Sequence, residues 1–333
     1  MSNIPQRILV TGGAGFVGSH LVDRLVAGGR RVVVLDDLSS GRPENLAAHA
    51  GPAGQGAVTF VEGDAADRAL VERLAEDVDA IAHLAASVGV RQVVEAPGRT
   101  LRNNLSSTLA VVDAAAALGR PLLLASTSEV YGKSDALPFT EGGDLVLGAT
   151  VRSRWSYAAA KATGEWLALA AAEEHGLPVC VARLFNTVGP RQRGRYGMVL
   201  PRFVAAALAG APLEVHGDGS QTRCFAHVAD VTRALVALLD NNHQGGTAAG
   251  GVFNVGTDEE VSILGLAERV VAAAGSSSEL RLVPYGEAFG SGFEDMARRV
   301  PSLDALEAAV GFRPRTSLDE IIAELLQLVA AAS

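Results

Sequence analysis

The chain has 333 residues, 48% of them hydrophobic and 20% charged, which is enough apolar material for one large domain or two modest ones. A net charge of −9 and an isoelectric point near 5.3 argue against a nucleic-acid partner or a membrane surface, and no apolar stretch is long enough to span a bilayer. The two cysteines, Cys180 and Cys224, lie in apolar surroundings without metal-ligand spacing, so no metal is expected and both read as reduced thiols of a cytoplasmic protein.

In chain order, Arg7-Ile-Leu-Val-Thr11 reads as a short buried strand, and its nearness to the N-terminus leaves no room for a signal peptide. The strand runs into Gly12-Gly-Ala-Gly-Phe-Val-Gly18 and an apolar-periodic helix from Phe16 to Ala27. Small residues at Gly12, Gly15 and Gly18 let backbone approach a pyrophosphate, whose charge then sits at the helix N-terminus beside Phe16 and Val17. The strand Arg31–Leu35 ends at Asp36, where an acid accepts both ribose hydroxyls and repels a 2′-phosphate. The expected cofactor is therefore NAD rather than NADP, with Asp37 as the alternative ribose ligand.

A polar loop from Ser39 to Gln55 precedes a strand at Val58–Glu62 and a helix around Arg68–Ala75. Then come Ala80–His83, a helix from about Pro97 to Ala117, the strand Pro121–Ser126, the helix carrying Tyr157, and the strand Val179–Phe185. This alternation predicts an α/β fold, a Rossmann-type doubly wound parallel sheet, with ligands beyond the strands' carboxyl ends. From about Gly189 the pattern shifts to helices at Leu200–Leu208, Val228–Leu239 and Ile263–Ala274 joined by short strands, and Gly245–Gly251 reads as a surface loop. The expected division is a dinucleotide-binding domain over 1–188 and a smaller α/β substrate-binding lobe over 189–333, with the chain crossing between them. Arginines in that lobe suit an anionic ligand.

Tyr157 and Lys161 stand four apart, on one face of a helix. A tyrosine ordinarily loses its proton near pH 10, and a neighbouring ammonium favours the phenolate. The pair is suited to taking a proton from a hydroxyl while hydride leaves the same carbon. His83 and His227 read as packing or capping residues.

The chain resembles an extended short-chain dehydrogenase/reductase of the nucleotide-sugar epimerase, dehydratase and decarboxylase group over nearly its whole length. The resemblance rests on Thr11–Gly18, Gly63-Asp64, His83-Leu-Ala-Ala86, Asn104, Ser126-Thr-Ser-Glu-Val-Tyr-Gly132, Tyr157 with Lys161, Arg183-Leu-Phe-Asn186 and Gly217–Arg223. It implies oxidation of a sugar at carbon 4, with Tyr157 as base, Thr127 sharing the hydroxyl and Lys161 bonding the nicotinamide ribose. Asp64 would bond the adenine or else cap the next helix. Ser40, Gly41, Ala65, Leu84, Ala85, Ala86, Asn104 and Ser126 join the cofactor side, with Asn104 open to a structural role. Asn186, Arg223, Val199, Leu200, and Val215 with His216 in a uracil-reading strand form the nucleotide-sugar side. A homodimer is implied too, with Ala-rich stretches at Ala110–Ala117 and Ala158–Ala172 packing either across a two-fold axis or within one chain.

The second half-reaction distinguishes the members of this group. By the resemblance Ser128 and Glu129 join the catalytic and substrate-binding candidates; the Asp-Glu pair usual in dehydratases is Ser128-Glu129 here, the base present and the acid missing, which disfavours elimination of water. Gly189-Pro-Arg-Gln-Arg193 resembles the glucuronate 4-epimerases and makes Arg193 the candidate for a sugar carboxylate. Ser126–Gly132 and Arg299 resemble the UDP-glucuronate decarboxylases, whereas Ser87–Val90 departs from the proline-containing stretch usual in them. The preferred expectation is a UDP-glucuronate 4-epimerase. Decarboxylation is the alternative, and a dehydratase or a non-catalytic dinucleotide-binding module remains open.

Overall fold

In a computed structural model, which describes residues 4–49, 56–89, 96–192, 198–289 and 294–332, apolar runs become strands buried on both faces. Ile8, Leu9 and Val10 of Arg7–Thr11 (β1) have no exposed surface, as expected where helices cover both sides of a parallel sheet. The following sheet strands are Arg31–Asp36 (β2), Val58–Glu62 (β3), Ala80–His83 (β4), Leu122–Thr127 (β5) and Val179–Leu184 (β6). Beyond them lie Asn186–Val188 (β7), Leu213–His216 (β8), Thr222–His227 (β9), Gly251–Val255 (β10), Glu260–Ser262 (β11) and Leu280–Val283 (β12).

The main sheet has seven parallel strands in the order β10-β6-β5-β4-β1-β2-β3. Strand order reverses between β1 and β4, so the crevice at their carboxyl ends is the expected ligand position of a doubly wound fold. On one face, Leu21 and Leu25 of Phe16–Ala27 (α1) pack with Leu235 and Leu238 of a helix from the second half of the chain. On the other face lie Arg68–Ala75 (α2), Pro97–Leu118 (α3) and Ser156–His175 (α4), through Val71, Val111 and Ala168. Within the Ala-rich stretches considered for a dimer seam, Ala114, Ala115, Ala158 and Ala168 are fully buried by packing within the chain, whereas Ala117 and Ala170 are exposed. At the crossing of α3 and α4, a Cβ on Gly164 would lie 3.1 Å from Thr108 Cγ2.

The smaller lobe holds β11-β9-β7 and β12-β8, with Val199–Leu208 (α5), Ile263–Ala273 (α7) and Leu318–Ala332 (α10) around a core of Phe203, Leu266 and Ile322. Between α5 and α7 the chain returns to the first lobe. Val228–His243 (α6) covers the main sheet and β10 adds its seventh strand beside β6. Chain beyond residue 188 therefore completes the dinucleotide-binding sheet, and the expected surface loop ends by entering a strand at Gly251. Two short helices remain: Tyr285–Phe289 (α8) follows β12, and Asp304–Val310 (α9) packs through Leu306 into the core shared with α6. No described helix is long and apolar enough to cross a membrane.

Candidate active site

One cleft of about 450 Å³ runs along the carboxyl ends of the strands and under the smaller lobe. Its floor is the Gly-rich turn. Gly12 has φ +71°, and a Cβ there would fall 2.7 Å from the Ala85 amide nitrogen. A Cβ on Gly18 would lie 2.0 Å from the Gly12 carbonyl oxygen, so the first turn of α1 can pack against the loop only without a side chain. Gly15, at the helix N-cap, offers no capping side chain, which leaves the backbone N–H groups of α1 for an anion.

Asp36 closes β2 and is buried, its carboxylate accepting from the Ala14 and Leu38 amides at 2.9 Å each. Burial pushes its carboxyl upward, and those two bonds oppose the shift. Phe16, Val17, Asp37, Ser40, Asp64 and Ala65 line the same end of the cleft, as do Leu84, Ala85 and Ala86. Gly41 does not. Its missing side chain leaves room for Asp36 Oδ1, which would lie 2.6 Å from a Cβ at position 41. Asp64 accepts from the Ala66 amide, and the cap of α2 is Asp67. Asn104 lines the cleft but holds the Ser87 backbone by both its amide and its carbonyl, so it braces the loop after β4 against α3.

The reacting end is built where β5 meets α4. Tyr157 and Lys161 both line the cleft, and Thr127 hydrogen-bonds the Tyr157 hydroxyl. Burial raises the phenol well above its usual range, the Glu129 charge adds to this, and Arg299 opposes it. Lys161 donates to the Ala125 carbonyl at 2.9 Å, and burial brings its ammonium down to about 8. His83 lies beneath, held by Thr11 at 2.7 Å and Thr108 at 3.3 Å, and burial lowers its imidazole to about 3. It is a packed, neutral histidine. His227 caps α6 through the Ala229 amide.

Beside Tyr157 lies a charge cluster that the sequence reading saw only in part. Arg154 Nη1 meets Glu129 Oε2 at 2.5 Å, and its Nη2 lies 3.5 Å from Asp295. Arg223 binds the other Asp295 oxygen at 2.8 Å. Arg299 Nη1 stands 3.8 Å from Glu129, and its Nη2 donates to Ser128 Oγ at 2.7 Å. Burial alone would raise the Glu129 carboxyl, but Arg154 and Arg299 outweigh it and hold the group below its ordinary value. Burial lowers Arg299 to about 10. The Nε atoms of Arg154 and Arg299 are buried with no hydrogen-bond partner. Three arginines against two carboxylates leave this part of the cleft net positive, suited to an anion.

Glu129, Asn186, Val199, Leu200, His216, Arg223 and Arg299 line this half of the cleft. Two expected contacts are corrected. Ser128 is fully buried behind the surface and supports Arg299, because the turn after β5 points it inward. Val215 faces the core of the smaller lobe, since strand alternation sends only its neighbour His216 to the cleft. Arg193 lies outside the described residues. Arg154, Arg202 and Asp295 also line the cleft and were not anticipated. Arg154 sits three residues before Tyr157, a spacing that could have flagged it.

A doubly wound parallel sheet, a Gly-rich turn, an acid closing the second strand and a Tyr-Lys pair in one crevice define a short-chain dehydrogenase/reductase. The chain belongs to the NAD dependent epimerase/dehydratase family, whose profile matches residues 8–256, and its cofactor is NAD. That family comprises enzymes acting on nucleotide sugars as epimerases, dehydratases and decarboxylases. Among its relatives, a UDP-N-acetyl-alpha-D-glucosaminuronate decarboxylase of Bacillus cytotoxicus is 36% identical over 97% of each chain. UDP-glucuronic acid decarboxylase 1 of Danio rerio is 34% identical over 97% of this chain and 72% of its own length. Among solved structures, DesIV, a dTDP-glucose 4,6-dehydratase from Streptomyces venezuelae with NAD and TYD bound, superposes with a TM-score of 0.86 at 30% identity, covering 98% of this chain and 97% of its own.

Proposed function

We propose that the protein is a UDP-uronate decarboxylase. The observation that carries this reading is Arg299: a buried guanidinium that lines the cleft beside both Tyr157 and Glu129. The relatives named as decarboxylases of UDP-uronates favour the same reaction over the 4-epimerisation expected from the sequence. That expectation leaned on Arg193, which the described residues do not include.

NAD, held by the Gly-rich turn, Asp36 and Lys161, supplies a hydride acceptor at carbon 4 of the sugar and a hydride donor later in the cycle. Tyr157, its phenolate favoured by the Lys161 ammonium against the burial that raises its phenol, takes the proton of the 4-hydroxyl, and Thr127 orients that hydroxyl. The product of oxidation is a β-keto acid. Its carboxylate leaves as carbon dioxide, the bonding pair passing toward the carbon 4 oxygen, and a proton from solvent is taken up at carbon 5. Arg299 holds the carboxylate before it leaves and the oxyanion character that follows. Arg154 fixes Glu129 as a carboxylate, which keeps Arg299 oriented. Tyr157 returns its proton to the carbon 4 oxygen, and the cycle is redox-neutral.

Incubation with UDP-glucuronate and with UDP-N-acetylglucosaminuronate, read by mass spectrometry, tests the proposal. Loss of carbon dioxide from either, abolished in Arg299→Gln, supports it. An isomer of unchanged mass makes the protein an epimerase, loss of water makes it a dehydratase, and unaltered substrate makes it a binding module. We propose further that it acts as a homodimer through α3 and α4, where Leu109 and Trp166 are 47% and 64% exposed. Sedimentation of Trp166→Asp as a monomer against a wild-type dimer would support this; a monomeric wild type would exclude it.

A further inference from the structure

Directly beneath the Tyr-Lys pair lies a buried polar network that reaches the cleft wall at Ser126, while Glu165 and Arg183 lie behind it. Glu165 is one helical turn beyond Lys161 on α4 and is 2% exposed. It accepts from Arg183 Nε at 3.1 Å on each oxygen and from Arg183 Nη2 at 2.7 Å, a two-pronged pair. It also accepts a short hydrogen bond from the Ser126 hydroxyl. Arg183 is completed by the Glu141 carbonyl at 3.1 Å and lies over the Tyr131 ring at 4.8 Å.

An ion pair taken this far from water is weak evidence for stability, because desolvation offsets much of the attraction. Its position suggests another task. Lys161 is itself buried, and burial acts against its ammonium. The groups around it are few. His83 from β4 is neutral and gives it no support. Strand β5 offers the Ala125 carbonyl as a partner for Nζ. Tyr157 stands one turn earlier on the same helix, and Arg183 on β6 is taken up by Glu165. Glu165 is the negative group that counters the desolvation. The same carboxylate fixes Ser126, the residue after Ala125, and so sets the strand end to which Lys161 is bonded.

We propose that Glu165 is a positioning residue that holds Lys161 charged and in place from beneath the cleft. This rests on reading Tyr157 and Lys161 as the proton-handling pair.

The chain has only two lysines, Lys133 and Lys161, which makes the test direct. In holoenzyme labelled with carbon-13 at lysine Cε, two resonances are followed against pH, with Lys133 as the internal reference. Glu165→Gln should lower the Lys161 midpoint by about one pH unit and move the alkaline limb of kcat/KM to lower pH by the same amount. Glu165→Asp should restore most of both. Because Glu165→Gln leaves Arg183 unpaired, Glu165→Gln/Arg183→Met removes the pair as a unit and should show the same lowered midpoint. A purely structural role would reduce the folded fraction or kcat without moving the midpoint. An unmoved Lys161 midpoint in the double variant overturns the proposal. Retained turnover in Lys161→Met would instead overturn the reading of the Tyr-Lys pair on which it rests.

Discussion

Replacing Arg154 by methionine tests the charge cluster at its tightest contact. Arg154 and Glu129 meet at 2.5 Å, with side chains 4% and 13% exposed. Removing one member of such a buried pair costs about 3–5 kcal/mol, because the other is left as an uncompensated charge. Arg299 remains 3.8 Å from Glu129, so the low end, about 3 kcal/mol, is expected at neutral pH. The pH dependence follows from the carboxyl. In the native protein Glu129 is held below its ordinary value, so its stabilisation is present above the unfolded value and lost as pH falls through the folded one. In Arg154→Met burial prevails and the carboxyl rises, so Glu129 can take a proton in mildly acidic solution. Urea unfolding of both proteins at about pH 8 and about pH 5 should therefore show a large loss at the first and a smaller one at the second. A loss equal at both, or none at either, would refute the assignment of Arg154 as the group that keeps Glu129 ionised.

Tyr157→Phe should keep NAD and the UDP-sugar bound while lowering turnover by about two orders of magnitude or more, since positioned proton transfer contributes that much; wild-type turnover in this variant rules out the acid/base role. Asp36→Ala should weaken NAD and narrow its advantage over NADP in equilibrium titrations, and a wild-type protein that binds both equally contradicts the ribose assignment. Gly18→Ala should lose bound NAD yet fold, because its Cβ would collide with the Gly12 carbonyl at 2.0 Å; retention of cofactor at wild-type levels would show that the turn can shift.

The first six strands of the sheet were legible as apolar runs between helical patterns, most plainly where a strand is buried on both faces, as in β1, β4 and β5; β3 is a half-exposed edge strand. The Gly-rich turn and the Tyr157–Lys161 spacing were legible because each is local. What was not legible depends on contacts across the chain. Arg154 meets a glutamate 25 positions earlier, and its spacing from Tyr157 places it near the site without revealing that partner. Strand β10 was hidden behind glycines and recognisable only by its pairing with β6. Ser128 and Glu129 are adjacent, yet the turn after β5 buries one behind the site and brings the other to the cleft.

The return of the chain to its first lobe bears on how the protein is made. Strand β6 gains its outer neighbour only when residues 251–255 arrive, more than sixty positions later. Until then Val179–Leu184, an almost wholly apolar stretch, presents an unpaired edge with free N–H and C=O groups. A nascent chain or a fragment ending near residue 188 would carry the whole dinucleotide fingerprint and still be an incomplete sheet, prone to pair with another copy of itself. A fragment cut between the lobes is therefore expected to aggregate rather than to behave as an isolated cofactor-binding domain.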